Sequence, residues 1–411
     1  MRKKSLVILL VFVLAAMSLL AGCGGTDSST DSGDDSSDTE SSLKVGFIFL
    51  HDENSTYDLN FINAATDACE ELGVEYEFKK NIDESQACYD AAAELVDDGC
   101  GLIFADSFGH EDFMIQAAKE FPDVQFCHAT GTKAHTEGLS NFHNAFAAIY
   151  EGRYLAGIAA GMKLNEMIDA GTITADQAVI GYVGAYTYAE VISGYTSFFL
   201  GARSVCPSAT MKVTFTGSWY DEAAEKEAAN NLIQNENCVL ISQHADSMGA
   251  PTACETAGVP NVSYNGSTID ACPNTFLVSS RIDWTPYYKY AIGQVLDGNE
   301  IDTDWTGTLE TGSVCLTDIN TNVAAEGTQD AIDEATAKLN SGELHVFDTS
   351  TFTVNGETLT TYMADVDTDA DYTGDTEAIA DGYFHESEFR SAPYFNVQVD
   401  GITLLDTNFG G

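Results

Sequence analysis

The chain reads as an α/β protein of two lobes, each a parallel sheet flanked by helices. Three observations predict this. Short apolar runs bounded by polar residues alternate with helical patterns, at the spacing of right-handed βαβ units. The alternation restarts after one long apolar helix, so two βα runs of similar size follow one another. Finally, 411 residues with 44% hydrophobic content are enough to bury a sizeable core.

The first run opens at residues 43–50, Leu-Lys-Val-Gly-Phe-Ile-Phe-Leu, which has the unbroken apolar character of a buried parallel strand. A helical pattern follows the loop 51–56 and runs to Leu72, where Gly73 ends it. Strands are expected at 74–78, 102–105 and 124–128, with helices at 84–96 and 111–120 between them. A long helix is expected over 145–164. The second run has strand candidates at 178–184, 211–216, 238–242 and 259–264, each followed by a helical pattern. Residues 276–280 read as a crossing back to the first lobe, with a helix at 285–295. A further helix at 327–340 and short β-like runs at 350–354 and 395–399 are expected to complete that lobe. The resulting divisions are 43–140 for the first part of the N-terminal lobe, 141–275 for the C-terminal lobe, and 276–411 for the return plus a C-terminal extension.

Two segments precede the folded part. Residues 1–22 combine Arg2-Lys3-Lys4, an apolar run at 6–14 and a small-residue end, the pattern of an export signal rather than a spanning helix. Leu20-Ala21-Gly22-Cys23 resembles the lipobox of bacterial lipoproteins, which implies a lipidated Cys23 and a domain held outside the cell membrane. Residues 24–42 contain almost nothing to bury, so 23–42 reads as an acidic, solvated tether.

Charge excludes several classes of partner. Seventeen Lys and Arg against 64 Asp and Glu give a formal net charge of −47, which leaves no basic patch for nucleic acid or an anionic lipid surface. Solubility, or adaptation to a salty or acidic surface, accounts for the bulk charge. Beyond Cys23 nine cysteines remain, mostly inside apolar runs where a free thiol behaves as a small hydrophobe. Cys254 with Cys272 is the pair expected to bridge if any does. No zinc spacing, dinucleotide fingerprint or P-loop occurs, so no metal or cofactor is expected. The Asp-rich stretch 365–377 fails as an EF-hand, because Ala370 stands where Gly is needed and Thr376 where the bidentate Glu belongs.

In open parallel sheets ligands lie beyond the carboxyl ends of the strands. The loops there gather aromatic faces (Tyr57, Phe108, Tyr186, Trp219) with Asp, Asn, Glu and Ser, and almost no Arg or Lys. Such a set suits a flat, largely neutral ligand, stacked on rings and held at its edge. Tyr57, Asp58, Phe108, Trp219, Asp246 and Asn265 are the candidate ligand residues. Asp221 serves equally as a helix N-cap, His244 reads as a structural histidine, and Glu190 as a cap or hinge contact. Asp52, Asp58, Asp106 and Asp246 could also be read as acid/base groups of a nucleoside hydrolase, but no motif for water or metal activation accompanies them.

Residues 154–161 (Tyr-Leu-Ala-Gly-Ile-Ala-Ala-Gly), Ile180-Gly-Tyr-Val-Gly184, Glu190-Val-Ile192, Gly201-Ala-Arg-Ser204, Ser218-Trp-Tyr-Asp221, Gln243-His-Ala-Asp-Ser247 and Asp283-Trp-Thr-Pro-Tyr-Tyr288 carry a further signal. In order and spacing this string resembles the basic membrane protein family of ABC-transporter substrate-binding lipoproteins, over roughly residues 43–300. The resemblance implies a two-lobed periplasmic-binding-protein type I fold that captures a purine base or nucleoside and works with an ABC permease. Its hinge is expected near residues 130, 175 and 280. The family's Ser-Phe-Asn appears as Thr56-Tyr57-Asp58, its second-lobe stacking aromatic as Trp219, and its ribose-binding Gly-Val-Asp as Ser263-Tyr264-Asn265. Loss of that last carboxylate tilts the expectation toward a free nucleobase. A receptor for another neutral solute, such as a sugar or signalling molecule, is the alternative.

Overall fold

The computed structural model describes residues 43–366 and 373–407, all within one compact unit, Ser42–Gly411. The export signal, Cys23, the tether, and residues 367–372 of the acidic loop lie outside the described residues.

The first sheet is built as the apolar runs demand. Lys44–Ile48 (β1) leads into Thr56–Leu72 (α1), capped by the Ser55 side chain on the Asp58 N–H and ended by Gly73 at φ 68°. Glu75–Lys79 (β2), Gln86–Asp97 (α2), Leu102–Ala105 (β3), Glu111–Glu120 (α3), Gln125–Ala129 (β4), the short Ala134–Glu137 (α4) and Phe142–Ala147 (β5) follow. The second sheet draws on Ile149–Asp169 (α5), Val179–Gly184 (β6), Ala189–Val205 (α6), Thr210–Phe215 (β7), Glu222–Gln234 (α7), Leu240–Gln243 (β8), Gly249–Ala257 (α8), Asn261–Tyr264 (β9) and Phe276–Ile282 (β10). The chain then gives Thr285–Asp297 (α9), Asp304–Gly307 (β11), Val314–Leu316 (β12) and Thr328–Asn340 (α10). Beyond these, Met363–Ala364 (β13) pairs with Thr376–Glu377 (β14), Ile379–Ala380 (β15) with Tyr383–Phe384 (β16), and Ile402–Leu404 (β17) ends the set.

The six-stranded sheet runs β11-β5-β4-β3-β1-β2, wholly parallel. The seven-stranded sheet runs β12-β10-β9-β8-β6-β7-β17, parallel except where β12 meets β10. Each sheet is covered on both faces. Phe47, Phe61, Phe104, Trp284 and Tyr288 form the aromatic layer under α1 and α9, with Leu95, Ile103 and Met114 on the opposite face under α2 and α3. Burying one such side chain contributes about 1.5–3 kcal/mol, so this layer is a main support of the first sheet. The Asp283–Tyr288 segment of the family-like string therefore has a structural task, with Asp283 accepting from the Thr285 N–H at 2.9 Å and Trp284 stacked on Phe61.

Sheet membership corrects several expectations. Residues 142–147 form a strand of the first sheet rather than the start of a long helix, and that helix occupies Ile149–Asp169 instead. Phe276–Ile282 does not return to the first lobe, because it pairs with β9 in the second sheet. The crossings between sheets fall at 147–149, 282–285 and 307–314, so the expected hinge positions near 130 and 175 are displaced and the one near 280 is close. The C-terminal segment completes the second sheet, not the first: β17 pairs with β7, and Phe347, Phe395, Val397 and Ile402 join the core around α5 and α6. Residues 350–354 and 395–399 form no regular strand. Cys254 and Cys272 are not bridged, and all nine cysteines among the described residues are free thiols.

Helices α5 and α6 cross at very short range. A Cβ added at Gly157 would lie 2.1 Å from the Phe198 carbonyl oxygen, and one at Gly201 would lie 2.0 Å from that of Tyr154. Only glycine permits backbones to approach this closely.

Candidate ligand site between the two sheets

The strand ends of both sheets converge on one cavity. One wall comes from the first sheet and its loops: Leu50, His51, Tyr57, Asp58, Ser107, Phe108 and Thr130. The other comes from the second: Glu190, Trp219, His244, Asp246 and Tyr264. Five of the six sequence-derived candidates meet here. Asn265 does not line the cavity; it is buried behind it, donating to Asp246 Oδ1 at 3.4 Å and accepting from Asn60 at 3.4 Å. Its backbone is left-handed, at φ 65°.

Each wall is held by local chemistry. Tyr57 sits in the first turn of α1 and donates to the Asp106 carbonyl at 2.7 Å, which fixes its ring against the cavity. Asp58 accepts from the His51 N–H at 2.7 Å and the Ser55 hydroxyl at 2.6 Å. Burial pushes its pKa up, but these bonds and the His51 ring outweigh burial and hold it below the usual value. Asp106 is fully buried outside the lining, and burial together with Asp58 pushes it well above the carboxylate range. Thr130 has φ 63°, a costly backbone for a β-branched residue and a form of strain that concentrates at functional sites.

On the opposite side, Trp219 lies edge-on to Tyr186 at 5.0 Å, and its carbonyl accepts from the Asp246 N–H at 3.0 Å. The Asp246 carbonyl in turn accepts from both the N–H and hydroxyl of Thr56, at 3.1 and 3.2 Å, so the N-terminus of α1 grips the second-lobe loop across the cleft. Phe108 meets Tyr188 at 5.3 Å and His51 meets Tyr220 at 5.3 Å, closing the mouth with rings from both sides. Burial, then Asp58, Glu225 and Glu190, push the Asp246 pKa well above the usual range. Asp221 caps α7, accepting from the Ala224 N–H at 2.9 Å, and does not line the cavity.

Sequence reasoning missed Leu50, His51 and Tyr264 as lining residues, placed Ser107, Thr130 and Glu190 in ligand-facing loops without naming them as ligand residues, and overlooked Arg153 altogether. Arg153 is fully buried in α5 beneath the cavity, donating to the Gln243 carbonyl at 3.0 Å and stacking its guanidinium 3.3 Å over the Tyr264 ring. No signal in the apolar α5 pattern marks it, except that a charge in such a helix must be paired. The C-terminal segment was missed as well. A second, more open cavity adjoins the first through Phe108, Thr130 and Glu190 and is walled by Arg390, Ala392 and Pro393, with the Ser391 N–H donating to Asp304 at 2.8 Å.

Behind Glu190, the buried Glu386 accepts from the hydroxyls of Ser193 and Ser387. Burial raises its pKa to about 7, and Glu151 and Glu190 add to the rise while the two hydroxyls oppose it. A carboxyl raised this way supports the fold fully below its unfolded value and loses that support as pH climbs through about 7. Glu386→Gln is therefore expected to be more stabilising relative to wild type at pH 8 than at pH 5. The difference is at most about 3 kcal/mol, at roughly 1.4 kcal/mol per pKa unit. Denaturant titrations at the two pH values check it.

The profile of the Bmp family, described as ABC transporter substrate-binding protein, PnrA-like, matches residues 47–346. The chain belongs to this family. Among Bmp-like relatives, a purine-binding protein of Brucella abortus is 34% identical over 314 residues, covering 75% of this chain and 84% of its own length. A Haloferax volcanii protein named as an ABC transporter glucose-binding protein is 35% identical over 252 residues, 61% of this chain and 60% of that one. An ABC transporter nucleoside-binding protein of Lactococcus lactis is 25% identical over 236 residues, 55% of this chain and 61% of its own. Among solved structures, ABC transporter solute-binding proteins from Aeropyrum pernix superpose with a TM-score of 0.63 at 18% identity, over 74% of this chain and 93% of that one. One from Conexibacter woesei gives 0.59 at 21%, over 74% and 98%. These structural likenesses speak to the fold. The Bmp match ends near the C-terminus of α10, so the segment that walls the second cavity lies beyond it.

Proposed function

We propose that this Bmp-family chain is the receptor of an ABC importer for a purine nucleobase or nucleoside, held outside the membrane by a lipidated Cys23. The observation that carries the reading is the make-up of the cavity wall. Rings from both sheets (Tyr57, Phe108, Trp219, Tyr264) face a space edged by Asp58, Glu190 and Asp246, with no Lys or Arg among the described lining residues. A flat heterocycle with N–H groups meets both requirements, whereas a phosphate or carboxylate would find no cation. The 34% identity to a purine-binding protein supports the same choice. Asn265 in place of the family's ribose-binding carboxylate favours the free base.

Binding would draw the two lobes together about the connections at 147–149, 282–285 and 307–314. Ligand contacts shared by both walls favour the closed form over the open one, which is the differential affinity that couples closure to capture. The permease then meets a surface that exists only in the closed form. A nucleoside hydrolase finds no support in the family, whose members bind solutes for transporters.

The kinship with a protein named for glucose gives the second reading, a sugar receptor. Solvent extraction of the protein purified from its source, followed by mass spectrometry of what it releases, tests the two. A purine is expected, and a hexose in its place would overturn the proposal.

A further inference from the structure

Arg153, His244 and Glu190 form a chain of contacts that leads from the interior of α5 to the cavity wall. Arg153 Nη2 lies 2.9 Å from His244 Nδ1, and His244 Nε2 lies 3.3 Å from Glu190 Oε1. A guanidinium only donates, so His244 Nδ1 must accept. The imidazole is then neutral, with its single proton on Nε2, and that N–H points at Glu190. Burial and the Arg153 charge both lower the His244 pKa, in keeping with a neutral ring, while Glu190 opposes them. The arrangement is held rigidly: Arg153 is 1% exposed, its second branch is bound to the Gln243 carbonyl, and the His244 ring lies 4.8 Å from Tyr264.

We propose that Arg153 and His244 are positioning residues that present Glu190 to the cavity as a fixed anionic acceptor, selecting ligands that carry an amino or N–H group at that edge. This rests on the purine reading above and sharpens it toward amino-bearing purines. One oxygen of Glu190 accepts from the His244 Nε2–H, which leaves the remaining carboxylate lone pairs for a ligand donor. Asp246 also lines the second-lobe wall, with its Oδ1 accepting from the Asn265 amide at 3.4 Å. On the edge that carries N7, adenine pairs an N–H2 donor with a ring-nitrogen acceptor, whereas guanine shows acceptors only. An acceptor locked in place discriminates, since a ligand without the donor leaves a partly buried carboxylate unmatched.

The test compares adenine with 6-methylpurine, which replaces the amine by a methyl of similar size, by isothermal titration. It adds the nitrogen-15 tautomer signature of His244 in the full chain. Wild type is expected to prefer adenine by about tenfold or more, and Glu190→Gln to cut that ratio to within about threefold. His244 is expected in the Nε2–H form in wild type and as a mixture of tautomers in Arg153→Met. An adenine preference that persists in Glu190→Gln, or an Nδ1–H tautomer in wild type, overturns the proposal. If neither purine binds wild type, the purine reading falls and the amino selectivity with it, while the tautomer still decides the relay. The wild-type tautomer and Glu190→Gln need no folded Arg153 variant.

Discussion

Trp219→Ala weakens purine binding by at least about 2 kcal/mol, roughly a thirtyfold rise in Kd, while leaving the thermal transition near that of wild type. The indole stands on the loop after β7, outside the sheet, with the cavity on one side and Tyr186 and Tyr188 around its edge. Base stacking on an aromatic contributes about 1–3 kcal/mol, and the loss also opens the cavity to water. Because Trp219 is only half-buried and its backbone contact to Asp246 survives truncation, the cleft loop keeps its anchor. Titration of wild type and variant with adenine reads the effect, and an unchanged Kd would remove Trp219 from the site.

The second large effect concerns the support beneath the site. Gly157→Ala places a methyl 2.1 Å from the Phe198 carbonyl oxygen, a backbone atom that cannot swing aside as a side chain could. Helices α5 and α6 must separate, which carries Arg153 and Glu190 apart because they ride on those two helices. Stability is expected to fall by about 3 kcal/mol or more, at the upper end for overpacking. Gly293→Ala, within α9, is the control: nothing lies within 4 Å of the added Cβ, so the better helix propensity should stabilise by about 0.5–1 kcal/mol. Denaturant midpoints of the two variants, moving in opposite directions, check the pair.

Much of this architecture is legible in the sequence because it is local. The apolar runs that become β1, β3, β6 and β8 are short, unbroken and followed by helical periodicity, and Tyr57, Phe108 and Trp219 stand just past such runs, where a parallel sheet presents its ligands. What was misread depends on distant pairing. Ile402–Leu404 joins β7 from about 190 residues away, and Phe276–Ile282 stays beside β9 although its pattern permits either sheet. Asn265 stands just past a strand end like the lining residues, but its side chain is bound to Asp246 and Asn60. Arg153 leaves no trace because its role is to neutralise and orient groups reached through His244, on another element.

Charge has a similar division. The net charge of −47 excludes nucleic acid from composition alone, yet it says nothing of the cleft, whose carboxylates are shaped individually. Asp58 is held low by its hydrogen bonds, Asp246 is pushed high by burial, and Glu190 accepts a hydrogen bond from a histidine whose tautomer is set by Arg153. Three acidic residues in one pocket thus offer three different edges to a ligand.

Isothermal titration of the folded chain with adenine and, separately, with glucose bears most directly on the central claim, that the ringed cavity between the sheets takes a purine. Saturable one-to-one binding of adenine with no heat from glucose is the predicted result. Saturable binding of glucose with none of adenine would contradict it.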